Sequence, residues 1–115
     1  MSDVLCRLTD LDATSAKEIV REEGSKRATV FVVRYQGQID AYVNSCPHIR
    51  LPLNWNDDVF FDQSGQYILC ANHSARFDAA SGQCVRGPCK GQSLTRVDVA
   101  VEGDAVVLRQ PFPMS

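Results

Sequence analysis

The sequence contains no apolar run approaching the ~20 residues that a membrane-spanning helix requires. Residues 1–12 carry acidic side chains and not the apolar stretch of a secretory signal. Basic residues are not in excess either, since 12 Lys and Arg stand against 14 Asp and Glu. A nucleic-acid-binding domain needs a clustered basic surface, and this balance gives no indication of one. We therefore expect a cytoplasmic protein with neither a membrane nor a nucleic acid as a partner.

Histidine is scarce, with two residues in a chain of 115. Cysteine is more frequent, and its odd number of five argues against a disulfide framework. In a chain without a secretory signal, such cysteines are more typical of metal ligands or free thiols. The length is that of one ordinary domain, so we expect residues 1–115 to form a single domain.

Strand patterns dominate the chain, and turn residues separate them. Residues 28–35 and 38–44 are rich in β-branched and aromatic side chains, with Gln-Gly between them, which predicts a hairpin. Residues 94–101 and 105–109 predict a second hairpin, and residues 4–8 an edge strand. Short strands with frequent turns indicate an all-β fold, a small antiparallel barrel or sandwich.

Two further segments have weaker patterns. Residues 14–23 are expected to form one or two helical turns, with Thr14 or Ser15 as the cap. Residues 56–67 predict an inserted hairpin with its tip at 64–65. The acidic residues Asp57, Asp58 and Asp62 in that segment are expected to form a solvated turn, or to steer a basic partner.

Both histidines stand close to a cysteine, in Cys46-Pro47-His48 and in Cys70-Ala71-Asn72-His73. Two thiolates and two imidazoles form a mixed ligand set that suits zinc or an iron–sulfur cluster. A structural zinc site is one interpretation, although zinc fingers usually place two cysteines before two histidines. One cysteine and one histidine in each loop instead suit a two-iron cluster with two histidine ligands on one iron.

The sequence resembles the Rieske iron–sulfur proteins, and among them the small Rieske-type ferredoxins. The resemblance rests on CPHIRLPL (residues 46–53), CANHSARFD (residues 70–78) and GQCVRGPCKGQSL (residues 82–94). It implies a cluster-binding subdomain at about residues 45–91, inserted in the β fold, that holds a [2Fe–2S] cluster. By this resemblance the inner iron is bound by Cys46 and Cys70, the outer iron by His48 and His73, and Gly87-Pro88 covers the cluster from a third side.

The resemblance also bears on the redox potential. High-potential Rieske proteins carry a Ser and a Tyr that donate hydrogen bonds, where this chain has Ala75 and Phe77. They also join the two ligand loops by a disulfide, whereas the matching positions here are Leu51 and Asn72. Fewer hydrogen bonds to the sulfurs leave the reduced cluster less stable. We therefore expect the low end of the Rieske range, roughly −150 to 0 mV.

The implied function is one-electron transfer from a flavin reductase to an oxygenase or a similar acceptor enzyme, without catalysis by this chain. A small Rieske subunit of a nitrite-reductase-like or oxidase complex is an alternative, as is a zinc-stabilised binding module. A complete oxygenase is excluded, because its mononuclear iron needs two further histidines. The remaining cysteines, Cys6, Cys84 and Cys89, are expected to be reduced thiols, with a Cys84–Cys89 disulfide as the alternative.

Overall fold

Ten short β-strands joined by turns form the framework of the described part of this chain. The computed structural model describes residues 3–47, 52–54, 58–71, 75–87 and 91–113. Within these residues the only helix is a short 3₁₀ helix, Leu8–Leu11, which confirms the all-β prediction. The strands are β1 (Asp3–Arg7), β2 (Ala16–Glu23), β3 (Lys26–Tyr35), β4 (Gln38–Val43), β5 (Tyr67–Cys70), β6 (Ala75–Asp78), β7 (Cys84–Arg86), β8 (Arg96–Val97), β9 (Val99–Glu102) and β10 (Ala105–Leu108).

The strands pair in three antiparallel sheets. A four-stranded sheet has the order β2-β3-β4-β8, and a three-stranded sheet has the order β1-β10-β9. The first predicted hairpin is confirmed as β3–β4, whose turn residues Gln36 and Gly37 have φ values of 51° and 79°. Two positive φ values in a two-residue loop match the right-handed twist of the flanking strands. The third sheet, β5-β6-β7, lies within the segment that the sequence singles out for metal binding.

The prediction of helical turns over residues 14–23 is wrong. Residues 16–23 form β2, which pairs with β3 over eight consecutive residues, from Ala16↔Val33 to Glu23↔Lys26. The backbone N–H of Glu18 also donates to the Asp58 carboxylate at 2.7 Å. Helix propensity differs little among these residue types, so pairing with a neighbouring strand decides the conformation.

The second predicted hairpin is confirmed at its turn, but its first strand is divided at Asp98. β8 pairs with β4, whereas β9 pairs with β10 in the other sheet. The backbone N–H of Asp98 donates to the Gln110 side chain at 2.8 Å, and its carbonyl accepts from Arg109 N–H at 2.9 Å. These bonds satisfy the backbone where the chain passes between sheets. The predicted edge strand is confirmed as β1, which lies at the edge of its sheet.

The buried side chains form two clusters, one of which contains two of the predicted ligands. The second cluster lies between the β1-β10-β9 sheet and the four-stranded sheet, around Leu11, Val32 and Val106. We call the first cluster the site core, which consists of Ala16, Phe31, Val33, Tyr42, Cys46, Leu53, Phe60, Ile68, Cys70, Ala75, Phe77, Ala79, Cys84 and Leu94.

Tyr42 connects the four-stranded sheet to the β5-β6-β7 sheet. Its side chain is fully buried, and its hydroxyl donates to the carbonyl oxygen of Ala79 at 2.8 Å, just beyond β6. Burial, and to a lesser degree Asp40, raises the pKa of Tyr42 to about 12, although Arg96 opposes the shift. A neutral, hydrogen-bonded hydroxyl is therefore part of the junction between the two sheets.

Replacing Tyr42 by phenylalanine is expected to lower the free energy of unfolding by about 1–2 kcal/mol, because the buried Ala79 carbonyl loses its donor. The pH dependence of the free energy of unfolding should change as well. An unfolded tyrosine ionises near pH 10.0 and Tyr42 in the folded chain near about 12, so the wild-type protein should lose stability between these values. Denaturant titrations below and above this range should show a steeper alkaline loss in the wild type than in Tyr42→Phe. Equal slopes would contradict the assignment.

Candidate metal centre

Two of the four predicted ligands, Cys46 and Cys70, lie in the same buried cluster. Cys46 follows the end of β4 by three residues, and Cys70 is the last residue of β5. Both are fully buried in the site core, and Cys46 is a free cysteine. The fold thus brings two thiols from segments 24 residues apart into one apolar environment. His48 and His73 lie outside the described residues.

The two cysteine-bearing segments are joined through the backbone of Leu53. The N–H of Ala71, next to Cys70, donates to the carbonyl oxygen of Leu53 at 2.8 Å. The N–H of Leu53 donates to the Asn44 side-chain oxygen at 2.9 Å, two residues before Cys46. Leu53 is itself fully buried. One residue therefore connects both segments, which restricts the distance between them.

A third segment, which consists of β7 and the residues after it, contacts the strands around Cys70 through Gly87. Gly87 has φ +107°, and a Cβ built on it would lie 2.9 Å from Cα and 3.0 Å from Cβ of Ala75. Ala75 is the Cα partner of Cys70 across the β5–β6 pair. Only glycine allows this approach, because any Cβ would collide with the backbone of β6. The first residue of the predicted Gly87-Pro88 cover therefore lies against the β5–β6 pair that carries Cys70; Pro88 lies outside the described residues.

The base of this third segment is closed by hydrogen bonds. The N–H of Cys84 donates to the carbonyl of Gln92 at 2.8 Å, and the N–H of Leu94 donates to the carbonyl of Gly82 at 2.8 Å. Cys84 is buried, and its thiol lies 3.4 Å from the carbonyl oxygen of Arg86. The alternative Cys84–Cys89 disulfide involves Cys89, which lies outside the described residues.

The prediction of a solvated acidic turn is wrong for Asp58 and Asp62. Asp58 accepts from the Glu18 backbone and lies 3.4 Å from the ammonium group of Lys17. Asp62 has a 7 % exposed side chain that pairs with Arg76 at 2.9 Å. Burial alone would raise the pKa of Asp62, but hydrogen bonds from Ser64, Arg76 and the Tyr67 backbone outweigh it and hold the pKa below its usual value. Asp57 lies outside the described residues.

These two carboxylates connect the inserted hairpin to the neighbouring strands, Asp62 to β6 and Asp58 to β2. The hairpin itself is confirmed in its described part by the Phe61↔Ile68 bridge and by the bond from Leu69 N–H to the Phe60 carbonyl at 2.7 Å. Its turn lies at the predicted tip, where Gly65 has φ +73°. Ion pairing to β6 and β2 explains why the Asp62 side chain is nearly buried and the Asp58 side chain is only partly exposed.

Sequence reasoning did not identify the polar residues that hold the cysteine-bearing segments. Glu18 lies on β2, Asn44 lies directly after β4, and Asn54 lies directly after Leu53. The sequence offered one signal, because Asn followed by Ser at the end of a strand is typical of a turn that its side chain stabilises. Glu18 gives no such signal, since its partners are at least 26 residues away.

The residues present fit a cluster with two thiolate ligands on one iron. The two buried cysteines lie in one apolar cluster, and the third segment excludes solvent from the side of Ala75. Burial in an apolar core disfavours a charged thiolate unless a metal compensates it. The fold and the two buried thiols are those expected of a small β-sheet protein that holds an iron–sulfur centre.

The comparison with protein families names that class. The model of the Rieske [2Fe-2S] domain matches residues 3–109, and the chain belongs to this family. The protein is therefore one that binds a [2Fe–2S] cluster, and the zinc interpretation is wrong. The search of curated proteins found no match.

Solved structures of Rieske ferredoxins share the fold. The Sphingomonas yanoikuyae B1 ferredoxin has a TM-score of 0.74 at 22% identity, over 96% of this chain and 100% of that chain. The ferredoxin of carbazole 1,9a-dioxygenase from Nocardioides aromaticivorans IC177 has a TM-score of 0.67 at 23% identity, over 94% and 96%. A complex of reduced oxygenase and oxidized ferredoxin in carbazole 1,9a-dioxygenase contains a chain with a TM-score of 0.70 at 23% identity, over 93% and 91%. No helix in the described ranges is long and apolar enough to cross a membrane.

Proposed function

We propose that this protein is a one-electron carrier that accepts an electron from a flavin reductase and delivers it to an oxygenase. The observation that carries the proposal is the pair of buried cysteines in one core, on a fold that aligns with a Rieske ferredoxin over 96% of this chain and 100% of that one. The oxygenase–ferredoxin complex among the similar structures supports the class of acceptor.

The proposed ligands are Cys46 and Cys70 on the inner iron and His48 and His73 on the outer iron. When bound, the [2Fe–2S] cluster supplies a reversible one-electron couple. The chain contributes the apolar site core, which excludes water from the thiolates. It also contributes the Leu53 backbone bonds and the close contact of Gly87 with Ala75, which restrict the cysteine-bearing segments.

We further propose a potential at the low end of the Rieske range, roughly −150 to 0 mV. The support comes from Ala75 and Phe77, both fully buried in the site core. Neither side chain carries a hydroxyl, so neither stabilises the reduced cluster by donating a hydrogen bond. A measured midpoint well above about +150 mV would contradict this part of the proposal.

Replacing Ala75 by serine is expected to raise the midpoint. Ala75 lies opposite Cys70 in the antiparallel pair, so a hydroxyl at position 75 lies on the same face as the Cys70 side chain. A hydrogen bond to a charged group contributes about 1.5–3 kcal/mol, and 1.4 kcal/mol equals about 59 mV for one electron. We expect a rise of up to about 60–120 mV in a redox titration. Ala41→Ser, a buried alanine in the other cluster, is the control and should leave the midpoint unchanged.

Electron paramagnetic resonance of the dithionite-reduced protein tests the ligand set, because mixed histidine and cysteine ligation differs from all-cysteine ligation in its g values. The carrier role is tested by stopped-flow mixing of the reduced protein with a Rieske oxygenase, followed by the return of the oxidised absorbance. Fast oxidation with no substrate turnover by this protein alone supports a carrier. Stable co-purification with a large reductase subunit would instead favour the alternative of a complex subunit.

A further inference from the structure

A hydrogen-bonded group of polar side chains lies between the four-stranded sheet and the first cysteine-bearing segment. The Asn44 amide donates to the Glu18 carboxylate at 3.0 Å and to the Asn54 side-chain oxygen at 2.9 Å. The Asn54 amide donates to the other oxygen of Glu18 at 3.2 Å. Each of the three side chains therefore bonds to both others. We call Glu18, Asn44 and Asn54 the polar triad.

The polar triad is connected to both cysteine-bearing segments through Leu53. The side-chain oxygen of Asn44 accepts from Leu53 N–H at 2.9 Å, and the Leu53 carbonyl accepts from Ala71 N–H at 2.8 Å. Asn44 is 5 % exposed, and Leu53 is fully buried. A continuous path of hydrogen bonds thus runs from β2 to the residue that follows Cys70.

The path is also fixed at its other end. The N–H of Glu18 donates to Asp58 at 2.7 Å, and β2 pairs with β3 at the same residue, Glu18↔Phe31. The Glu18 carboxylate is therefore attached to an edge strand that pairs with β3 on one side and, at Glu18, bonds to Asp58 on the other. Such a rigid support determines the position of what it holds more precisely than a free loop does.

We infer that Asn44 and Glu18 are positioning residues for the [2Fe–2S] cluster, which set the spacing between the two cysteine-bearing segments through Leu53. This inference rests on the proposed ligand set, because Cys46 and Cys70 are the residues whose spacing is set. Asn44 acts through the Leu53 backbone, and Glu18 acts through the Asn44 side chain. A second buried polar residue, Asp40 on β4, offers a contrast, since its side chain bonds to Arg96 and Gln38 and to neither cysteine-bearing segment.

The experiment compares Asn44→Ala with Asp40→Ala, which remove side chains of nearly equal size from buried positions four residues apart. Both proteins are purified with their cluster. Release of iron to EDTA is followed by the loss of visible absorbance, the midpoint is measured by redox titration, and stability by urea unfolding. Because Asn44→Ala leaves the buried Leu53 N–H without an acceptor, we expect it to release iron about tenfold faster than the wild type. Its midpoint and g values should also shift.

Asp40→Ala is expected to lower resistance to urea while leaving the midpoint, the g values and the iron release rate close to those of the wild type. Equal effects of both substitutions on iron release and midpoint would overturn the inference, because the polar triad would then act only on stability. If Asn44→Ala does not fold, Glu18→Gln is compared with Asp40→Asn, with faster iron release expected only in the former and equal rates overturning the inference. A wild-type protein without the mixed-ligand signal would instead overturn the proposed ligand set.

Discussion

Cys70→Ala is expected to yield a colourless protein without stoichiometric iron and sulfide. The thiolate of Cys70 is a proposed ligand, and a cluster deprived of one of two thiolates on the same iron is not retained. Because metal binding contributes directly to folding free energy, the segments around the site should also lose thermal stability. Iron and acid-labile sulfide assays and the visible spectrum measure the loss. Cys46→Ala should behave in the same way.

The chain contains a closely matched control for this substitution. Cys84 lies in the same site core and is buried to a similar extent, with 3 % of its surface exposed against 0 % for Cys70. Cys84→Ala removes the same atoms and creates a similar cavity. We expect it to keep a full complement of iron and sulfide with only a moderate loss of stability. Loss of the cluster in Cys84→Ala but not in Cys70→Ala would refute the ligand assignment.

Gly87→Ala is expected to destabilise the protein strongly beside the site. A positive φ at a residue with a Cβ costs about 1–3 kcal/mol. The new Cβ would also lie 2.9 Å from Cα of Ala75, so the backbone of β6 or of the third segment must shift. Overpacking of this kind costs typically another 1–3 kcal/mol. We expect a total loss of about 2–6 kcal/mol in the free energy of unfolding measured in urea, together with faster iron release.

The same substitution at Gly91 separates the cost of the positive φ from the cost of the collision. Gly91 has a similar φ of +94°, but a Cβ built on it meets nothing within 4 Å. Gly91→Ala should therefore show the conformational cost alone, without the collision. The difference between the two substitutions measures the contact between Gly87 and β6. If both lose the same stability, that contact is unimportant for the site.

Much of the local structure could be predicted from neighbouring residues. Gln36-Gly37 specifies a two-residue turn, because both residues adopt positive φ, and the hairpin around it follows. The inserted hairpin was recognisable by Ser64-Gly65 for a similar reason. The two cysteines were recognised from their spacing to the histidines, and the structure places Cys46 and Cys70 in one core. Assignment of all four ligands remains a proposal, since His48 and His73 lie outside the described residues.

The errors concern residues whose partners are distant in the sequence. Residues 16–23 form a strand because they pair with β3, and no local preference among them is strong enough to reveal it. Asp62 and Asp58 appeared to be surface residues by composition, yet they bind Arg76 and the Glu18 backbone. The predicted strand over residues 94–101 is divided at Asp98 because β8 pairs with β4 and β9 pairs with β10. Alternation of apolar and polar side chains does not specify which sheet a strand joins.

The sequence by itself determined the all-β class, the turns and the pairs of metal-binding residue types, because these depend on backbone preferences and on ligand chemistry over a few positions. Only the tertiary structure decided how the cysteine-bearing segments are held together. Leu53 carries no chemical signal in its side chain, and its role comes from a backbone N–H and carbonyl that bond to Asn44 and Ala71. Every residue has such groups, so the sequence cannot distinguish the one whose position in the fold joins the two segments.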